Sequence, residues 1–158
     1  MNQVISNDYN DNVLREWEKF VGDPSRERAS LEATARIEVT RVLDVGCGAG
    51  QELLPFVRDG RVLGVGIDVS PIAGQVGRQK LAAHAPEARV HFLRGSAEDL
   101  SFPAGVFDAV IRRLALPYTD NSQALAEASR AAPRGAIFAK NPRRAFLSRP
   151  AKASDQIG

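Results

Sequence analysis

The sequence predicts an α/β fold built on an open, mostly parallel sheet of about five strands with helices on both faces. Short apolar runs alternate with helix-like stretches along most of the chain, the order expected of repeated strand–helix–strand units. These runs are apolar throughout, as expected for strands that are covered on both faces. The first run leads into a glycine-rich turn, the place where open α/β sheets bind ligands.

Five apolar runs are predicted to be strands: 41–45, 61–68, 88–93, 107–111 and 135–139. Three stretches between them are predicted to be helices: 50–58, 71–84 and 122–131. The second of these helices contains Gly74 and Gly77, each of which costs about 1 kcal/mol relative to alanine. Ser70 followed by Pro71 is nevertheless a good helix start, because it combines a capping hydroxyl with proline in the first turn.

Residues 1–36 are predicted to form an N-terminal helical segment of the same domain, in two pieces. Val13, Leu14, Trp17 and Phe20 fall on one face of the first piece. The break comes at residues 22–24 (GDP), and Ser25 is the predicted cap of the second piece. The apolar face is a candidate lid over a ligand, although a packing stripe explains the pattern equally well.

Composition restricts the class of protein. The 158 residues are 44% hydrophobic and 25% charged, which is typical of one globular domain. Cys47 is the only cysteine, which excludes a disulfide framework and a cysteine-based metal cluster. No apolar run approaches the ~20 residues that cross a bilayer, and the polar N-terminus does not resemble a signal peptide. We therefore expect a cytoplasmic protein without a membrane partner.

The turn after the first strand carries Gly46, Gly48 and Gly50 within the segment VLDVGCGAGQ. Glycines at such a turn allow a tight bend and let a ligand approach the backbone. A dinucleotide fingerprint needs its third glycine one place later, where Gln51 stands. This spacing disfavours a pyrophosphate site and with it a dinucleotide cofactor.

Asp68 ends the second predicted strand, 18 residues after Gly50. An acid about 20 residues beyond such a turn can accept hydrogen bonds from ribose hydroxyls. Ser70 is better placed to cap the next helix, which leaves Asp68 without a structural task. We therefore expect Asp68 to bind a ligand.

Five segments together resemble the motifs of class I S-adenosylmethionine (SAM)-dependent methyltransferases of the small-molecule type. They are VLDVGCGAG, GVGIDVSP, GSAEDLSF, FDAVIRRLALPYTD and ALAEASRAAPRGAIF. The resemblance covers about residues 40–140 and implies a Rossmann-like SAM-binding domain over 37–140. It further implies methyl transfer from SAM to an unidentified small-molecule acceptor. Such a reaction is promoted mainly by proximity and in-line orientation, so no catalytic residue is named.

The resemblance also implies which residues bind the cofactor. The backbone of the glycine turn lines the methionine part, and Asp44 faces its cationic end. Asp68 holds the ribose, Val69 packs on the adenine, and Arg113 borders the methionine carboxylate or the acceptor pocket, unless it is simply solvated. The implied cofactor-binding residues are Asp44, Gly46, Cys47, Gly48, Gly50, Asp68, Val69, Ser96, Ala97, Glu98 and Arg113.

The sequence departs from the family pattern in two places. Ser96 stands where the family usually has an acid, so the adenine amino group loses a charge-assisted partner. The family also carries two further strands, a final antiparallel pair, after the fifth strand. Residues 141–158 are predicted to be a basic, disordered tail instead, so the chain is expected to lack that pair. The strand at 135–139 would then have an unpaired edge, through which chains could self-associate.

The remaining expectations concern partners and alternatives. Residues 140–158 hold five basic residues against one acidic residue, a pattern that can bind nucleic acid, but we interpret it as a solvated end. His84 and His91 lack metal-like spacing, so no metal site is expected.

Two other functions remain open. One is a non-catalytic or degenerate SAM-binding fragment, favoured by the missing strands. The other is an NAD-dependent oxidoreductase, disfavoured by Gln51.

Overall fold

The computed structural model describes residues 7–113, 121–133, 136–141 and 144–147. The helices are α1 (Asn7–Val21), α2 (Pro24–Thr34), α3 (Leu54–Val57), α4 (Pro71–His84) and α5 (Asn121–Ala131), and a 3-10 turn over Gln51–Leu53 precedes α3. The strands are β1 (Arg41–Val45), β2 (Leu63–Asp68), β3 (Arg89–Arg94), β4 (Ala109–Arg113), β5 (Ala136–Asn141) and β6 (Arg144–Leu147). The predicted α/β alternation is therefore confirmed.

Within these described ranges the strands form a single sheet in the order β3-β2-β1-β4-β5-β6. The first five are mutually parallel, and β6 runs antiparallel to β5. On one side of β1 lie β2 and then β3. On its other side lie β4, β5 and β6, so the order of the strands reverses between β3 and β4. The carboxyl ends of β1 and β4 flank this reversal, which is where open α/β sheets leave a crevice for ligands.

The tail prediction was wrong for residues 144–147. Their backbone forms β6, in which Leu147 lies opposite Phe138 and Arg144 lies opposite Asn141. The edge predicted to be unpaired at 135–139 is therefore covered by a strand. Only three consecutive apolar residues follow Arg144, too few to predict a strand from the sequence. The segment forms a strand because it pairs with the edge of β5, which outweighs its weak intrinsic preference for strand structure. Residues 148–158 lie outside the described part of the chain.

Helices cover both faces of the sheet, as predicted. On one face α1, α3 and α4 pack over β1 and β4 in a core that contains Trp17, Val42, Val57, Leu81 and Ile111. On the other face α5 and the segment before β4 pack in a second core that contains Leu43, Val45, Leu100, Phe107, Val110 and Ala128. Trp17 is 2% exposed, and its ring meets the edge of His84 at 5.2 Å between centroids. Val13 and Phe20 are buried as well, so this face of α1 is a packing stripe. The prediction was wrong for Leu14, which is exposed.

The two predicted helix caps had different outcomes. Ser70 caps α4 as expected, because its hydroxyl accepts a hydrogen bond from the Ile72 N–H at 3.2 Å. Ser25 does not cap α2. Asp23 occupies that position and accepts hydrogen bonds from the Ser25 N–H at 3.0 Å and from the Ser25 hydroxyl at 2.6 Å. Pro24 occupies the first helical position, so the cap is Asp23, two residues before the predicted Ser25.

Asp108 joins the starts of β1 and β4 at the edge opposite the glycine turn. Its Oδ2 accepts hydrogen bonds from the Thr40 N–H at 2.9 Å, the Thr40 hydroxyl at 2.8 Å and the Arg41 N–H at 2.9 Å. Burial disfavours the charged carboxylate, but these hydrogen bonds and the Arg41 charge outweigh it and lower the pKa of Asp108. Residue 108 falls inside a predicted strand, and its partners lie about 67 residues earlier in the chain, so the sequence alone did not indicate this contact.

We expect Asp108→Ala to lower the free energy of unfolding at pH 7 by about 1–3 kcal/mol, because three donors lose their acceptor. Folding lowers the pKa of Asp108. The stabilisation that its carboxylate provides is therefore complete above the unfolded-state pKa of about 3.9, and it is lost as the pH falls through the folded-state pKa. Urea unfolding at pH 7 and at about pH 3 measures the difference between variant and wild type. Asp11→Ala, on the exposed side of α1, is the control. This account would be contradicted if the variant and the wild type differed as much in free energy of unfolding at about pH 3 as at pH 7.

Candidate functional site

The glycine turn lies at the carboxyl end of β1, where β1 passes into the 3-10 turn. Gly46, Gly48 and Gly50 have φ angles of 71°, 53° and 74°, a region that side chains disfavour. A Cβ placed on Gly46 would meet nothing within 4 Å, whereas one on Gly50 would lie 2.8 Å from the Phe92 ring. Gly46 therefore faces open space that can receive a ligand, and Gly50 allows the turn to pack against β3.

Asp68 connects this turn to the end of β2. Its Oδ2 accepts a hydrogen bond from the Gly48 N–H at 3.0 Å, and its Oδ1 accepts one from the Ser70 N–H at 2.9 Å. The expectation that Asp68 has no structural task was therefore wrong. Parallel neighbours end at the same edge of the sheet, and this brings the turn within reach of the carboxylate.

Cys47 lies inside the turn and is 2% exposed. Its thiol donates to the Gly48 carbonyl at 3.4 Å, and a Cβ on Gly66 would come within 2.8 Å of its Sγ. Burial, reinforced by the negative charges of Asp44 and Asp68, raises the pKa of the Cys47 thiol well above its usual value. A neutral, buried thiol is a poor nucleophile, so Cys47 acts as a small filler between the turn and β2.

Acidic and polar side chains lie beneath the turn. Asp44, in β1, is 1% exposed, and Asp68 is 6% exposed. The negative charges of both carboxylates raise the pKa of the Cys47 thiol. Gln51 and Glu52 are also buried, and Arg26 from α2 approaches Glu52 at 3.4 Å. This arrangement favours a cationic group on any ligand that enters at the turn.

Apolar surface continues the site beyond Asp68. Val69 is 50% exposed, and Leu93, near the end of β3, is 47% exposed. The Arg94 Nε–H donates to the Val69 carbonyl at 3.1 Å, and the Gly95 N–H donates to the Asp68 carbonyl at 3.0 Å. These bonds hold the segment after β3 beside the segment after β2. The result is an apolar ledge next to the Asp68 carboxylate, suited to a flat ring.

The segment 96–98 forms a tight turn beside this ledge. The Ser96 hydroxyl accepts a hydrogen bond from the Glu98 N–H at 3.2 Å, and Ser96 forms an isolated backbone bridge with Asp99. The Glu98 carbonyl accepts a hydrogen bond from the Gln123 side chain of α5 at 3.1 Å. Ala97 lies partly buried within the same turn. The structure therefore brings this predicted segment to the same edge of the sheet as Asp68.

Glu127 and Arg130 of α5 hold the rest of that loop in place. Arg130 donates to the carbonyls of Leu100 at 2.6 Å and Phe102 at 2.5 Å and binds the Glu127 carboxylate at 2.8 Å. Glu127 in turn accepts a hydrogen bond from the Leu100 N–H at 2.9 Å. The bond from Arg130, followed by that from Leu100, lowers the pKa of Glu127 to about 2. This pair was not predicted from the sequence, because its loop partners are backbone groups about 30 residues away.

Most of the predicted site residues thus lie along the carboxyl edges of β1, β2 and β3. Arg113 ends β4, but its side chain and residues 114–120 lie outside the described part of the chain. In the described ranges, no three His, Cys, Asp or Glu side chains converge on a possible metal site. None of the helices described there is long and apolar enough to cross a bilayer.

Comparison with known proteins places this architecture in a family. The family model described as a methyltransferase domain matches residues 42–135, more than half of the chain. A demethylmenaquinone methyltransferase of Symbiobacterium thermophilum is 33% identical over 114 residues, which cover 70% of this chain and 39% of that protein. The chain therefore spans well under half the length of this relative.

Solved structures show the same fold. The [4+2]-cyclase SpnF aligns with 72% of this chain and 43% of its own at a TM-score of 0.62 and 29% identity. A protein of Methanococcus maripaludis aligns with 88% of this chain and 66% of its own at a TM-score of 0.72. Its identity is 15%, a likeness that shows the fold alone. From the match to the family model, supported by this architecture, the chain belongs to the methyltransferase domain family.

Proposed function

We propose that this chain binds SAM and transfers its methyl group to a small-molecule acceptor. The observation that carries the proposal is the match of residues 42–135 to the methyltransferase domain family. The site geometry supports it, since an open glycine turn, a buried acid and an apolar ledge follow one another along one edge of the sheet. This order suits a ligand with an amino-acid part, a ribose and a base.

The proposed cofactor-binding residues are those predicted from the sequence: Asp44, Gly46, Cys47, Gly48, Gly50, Asp68, Val69, Ser96, Ala97, Glu98 and Arg113. The amino-acid part would lie over Gly46, above the negative charge of Asp44. Asp68 would accept hydrogen bonds from the ribose hydroxyls, and the base would rest on Val69. The turn at Ser96 would border the edge of the base with a neutral hydroxyl instead of a carboxylate.

SAM supplies a methyl group on a sulfonium, which an oxygen, nitrogen or carbon nucleophile can displace. In the proposed mechanism the chain contributes position more than acid–base chemistry. The glycine turn and Asp68 hold the cofactor, and the loop fixed by Glu127 and Arg130 supports the base side. Holding both reactants in line lowers the barrier without a general base. No catalytic residue is assigned.

A non-catalytic SAM-binding domain is the second candidate function. SpnF, named as a cyclase, favours it, because it shows that proteins of this fold carry different chemistries. An NAD-dependent oxidoreductase is disfavoured by Gln51 at the third glycine position. The cytoplasmic location, the segments 1–36 and 37–140, and the absence of a nucleic-acid partner stay predictions. Self-association also stays a prediction, although the edge of β5 through which it was expected is paired with β6.

We expect the purified chain to bind SAM and S-adenosylhomocysteine (SAH) and not NAD. The glycine spacing and the acid at the end of β2 suit a ribose with an amino-acid arm better than a pyrophosphate. Isothermal titration calorimetry with the three compounds measures this directly. Tight NAD binding together with no heat from SAM or SAH would overturn the proposed function.

We expect Asp68→Ala to weaken SAH binding by about 1.5–3 kcal/mol, the scale of a hydrogen bond to a charged group. The same change should lower the free energy of unfolding by about 1–3 kcal/mol, because the buried N–H groups of Gly48 and Ser70 lose their acceptor. Calorimetry and thermal unfolding give the two quantities on one sample. Asp59→Ala, at an exposed turn, is the control. Unchanged SAH affinity in a folded Asp68→Ala chain would remove Asp68 from the cofactor site.

A further inference from the structure

Gln51 is a buried polar residue with an unused acceptor directly behind the glycine turn. The residue is 1% exposed, and within the described part of the chain its Oε1 makes no hydrogen bond. A buried amide oxygen without a partner destabilises the folded state, because it gives up its hydrogen bonds to water and gains none. Such a group in a well-packed region calls for an explanation beyond folding.

The position of the amide places it at the site and not in the apolar core. Gln51 follows Gly50 directly and opens the 3-10 turn. Its Oε1 and Nε2 lie 3.8 Å and 4.0 Å from the point that a Cβ on Gly48 would occupy. The amide therefore lies close to Gly48, in the same turn whose Gly46 faces open space. Asp44 is buried in β1, the strand that leads into the same turn.

We propose that the Gln51 Oε1 accepts a hydrogen bond from the α-ammonium of the amino-acid part of SAM, so that Gln51 selects for that part. The inference rests on the proposed function. An ammonium offers three donors and a positive charge. These match the carbonyl oxygen of Gln51 and the negative charge of Asp44, in the strand that leads into the turn. A ligand carboxylate would be repelled by both groups. The side chain of Gln51 has several rotatable bonds, so its carbonyl can turn toward a bound ammonium.

Gln51→Met tests this, because methionine has nearly the same length and volume and no amide. The probes are SAH and 5′-methylthioadenosine, which share the adenosine and the thioether, but only SAH carries the amino-acid part. We expect the Kd of SAH to rise about ten-fold or more. We expect the Kd of 5′-methylthioadenosine to stay unchanged. The midpoint of thermal unfolding of the ligand-free chain should stay the same or rise, because the variant no longer buries an amide whose oxygen lacks a hydrogen bond.

Two further variants sharpen the result. Gln75→Met, on the exposed side of α4, is the matched control and should alter neither affinity. Gln51→Glu keeps an acceptor oxygen at the same place and should bind SAH more tightly than Gln51→Met does. Equal weakening of both ligands in Gln51→Met, together with a lower unfolding midpoint, would show a structural role and overturn the inference.

The failure of this inference differs from the failure of the proposed function. If the wild-type chain binds both ligands and Gln51→Met leaves the SAH affinity unchanged, the assignment of Gln51 falls and the proposed function stands. If the wild-type chain binds neither ligand, the proposed function falls and the assignment of Gln51 falls with it.

Discussion

The attachment of the glycine turn to the end of β2 is the constraint on which the candidate site depends. The N–H groups of Gly46 and Cys47 both donate to the Ile67 carbonyl, at 2.8 Å and 3.1 Å, and the Gly48 N–H donates to the Asp68 carboxylate. These bonds hold three successive residues of the turn against the neighbouring strand and keep glycines in conformations that other residues disfavour. Without them the turn would not present an open backbone beside a buried acid.

This attachment gives Asp68 two tasks. It supports the turn in the ligand-free chain, and in the proposed function it also receives the ribose. A carboxylate can do both because it accepts about four hydrogen bonds. The two tasks also couple the proposed ribose position to the glycine turn. A ligand that hydrogen-bonds to Asp68 acts on the same carboxylate that binds the Gly48 N–H. The site is in this sense organised before a ligand arrives, which lowers the entropic cost of binding.

A second support comes from the other face of the sheet. Arg130 and Glu127 of α5 bind the backbone of the loop between β3 and β4, and Gln123 binds it at Glu98. A loop without regular structure has backbone groups that need partners, and here one helix supplies several of them. The apolar ledge at Val69 and Leu93 thus lies between two supported segments. Family membership explains why these parts follow one another in this order. The fold alone does not determine the reaction, which depends on the residues of the site.

The sequence by itself determined the strand–helix order, the parallel sheet, the glycine turn and Asp68 at the end of β2, because apolar runs and glycines act through local geometry. It also predicted the Ser70 cap, which needs only neighbouring residues. Tertiary structure decided what depends on distant partners. Asp68 bonds to Gly48, Asp108 clamps the start of β1, and Arg130 binds carbonyls about 30 residues earlier in the chain. It also decided that residues 144–147 pair with β5, since so short an apolar run becomes a strand only when an open edge lies beside it.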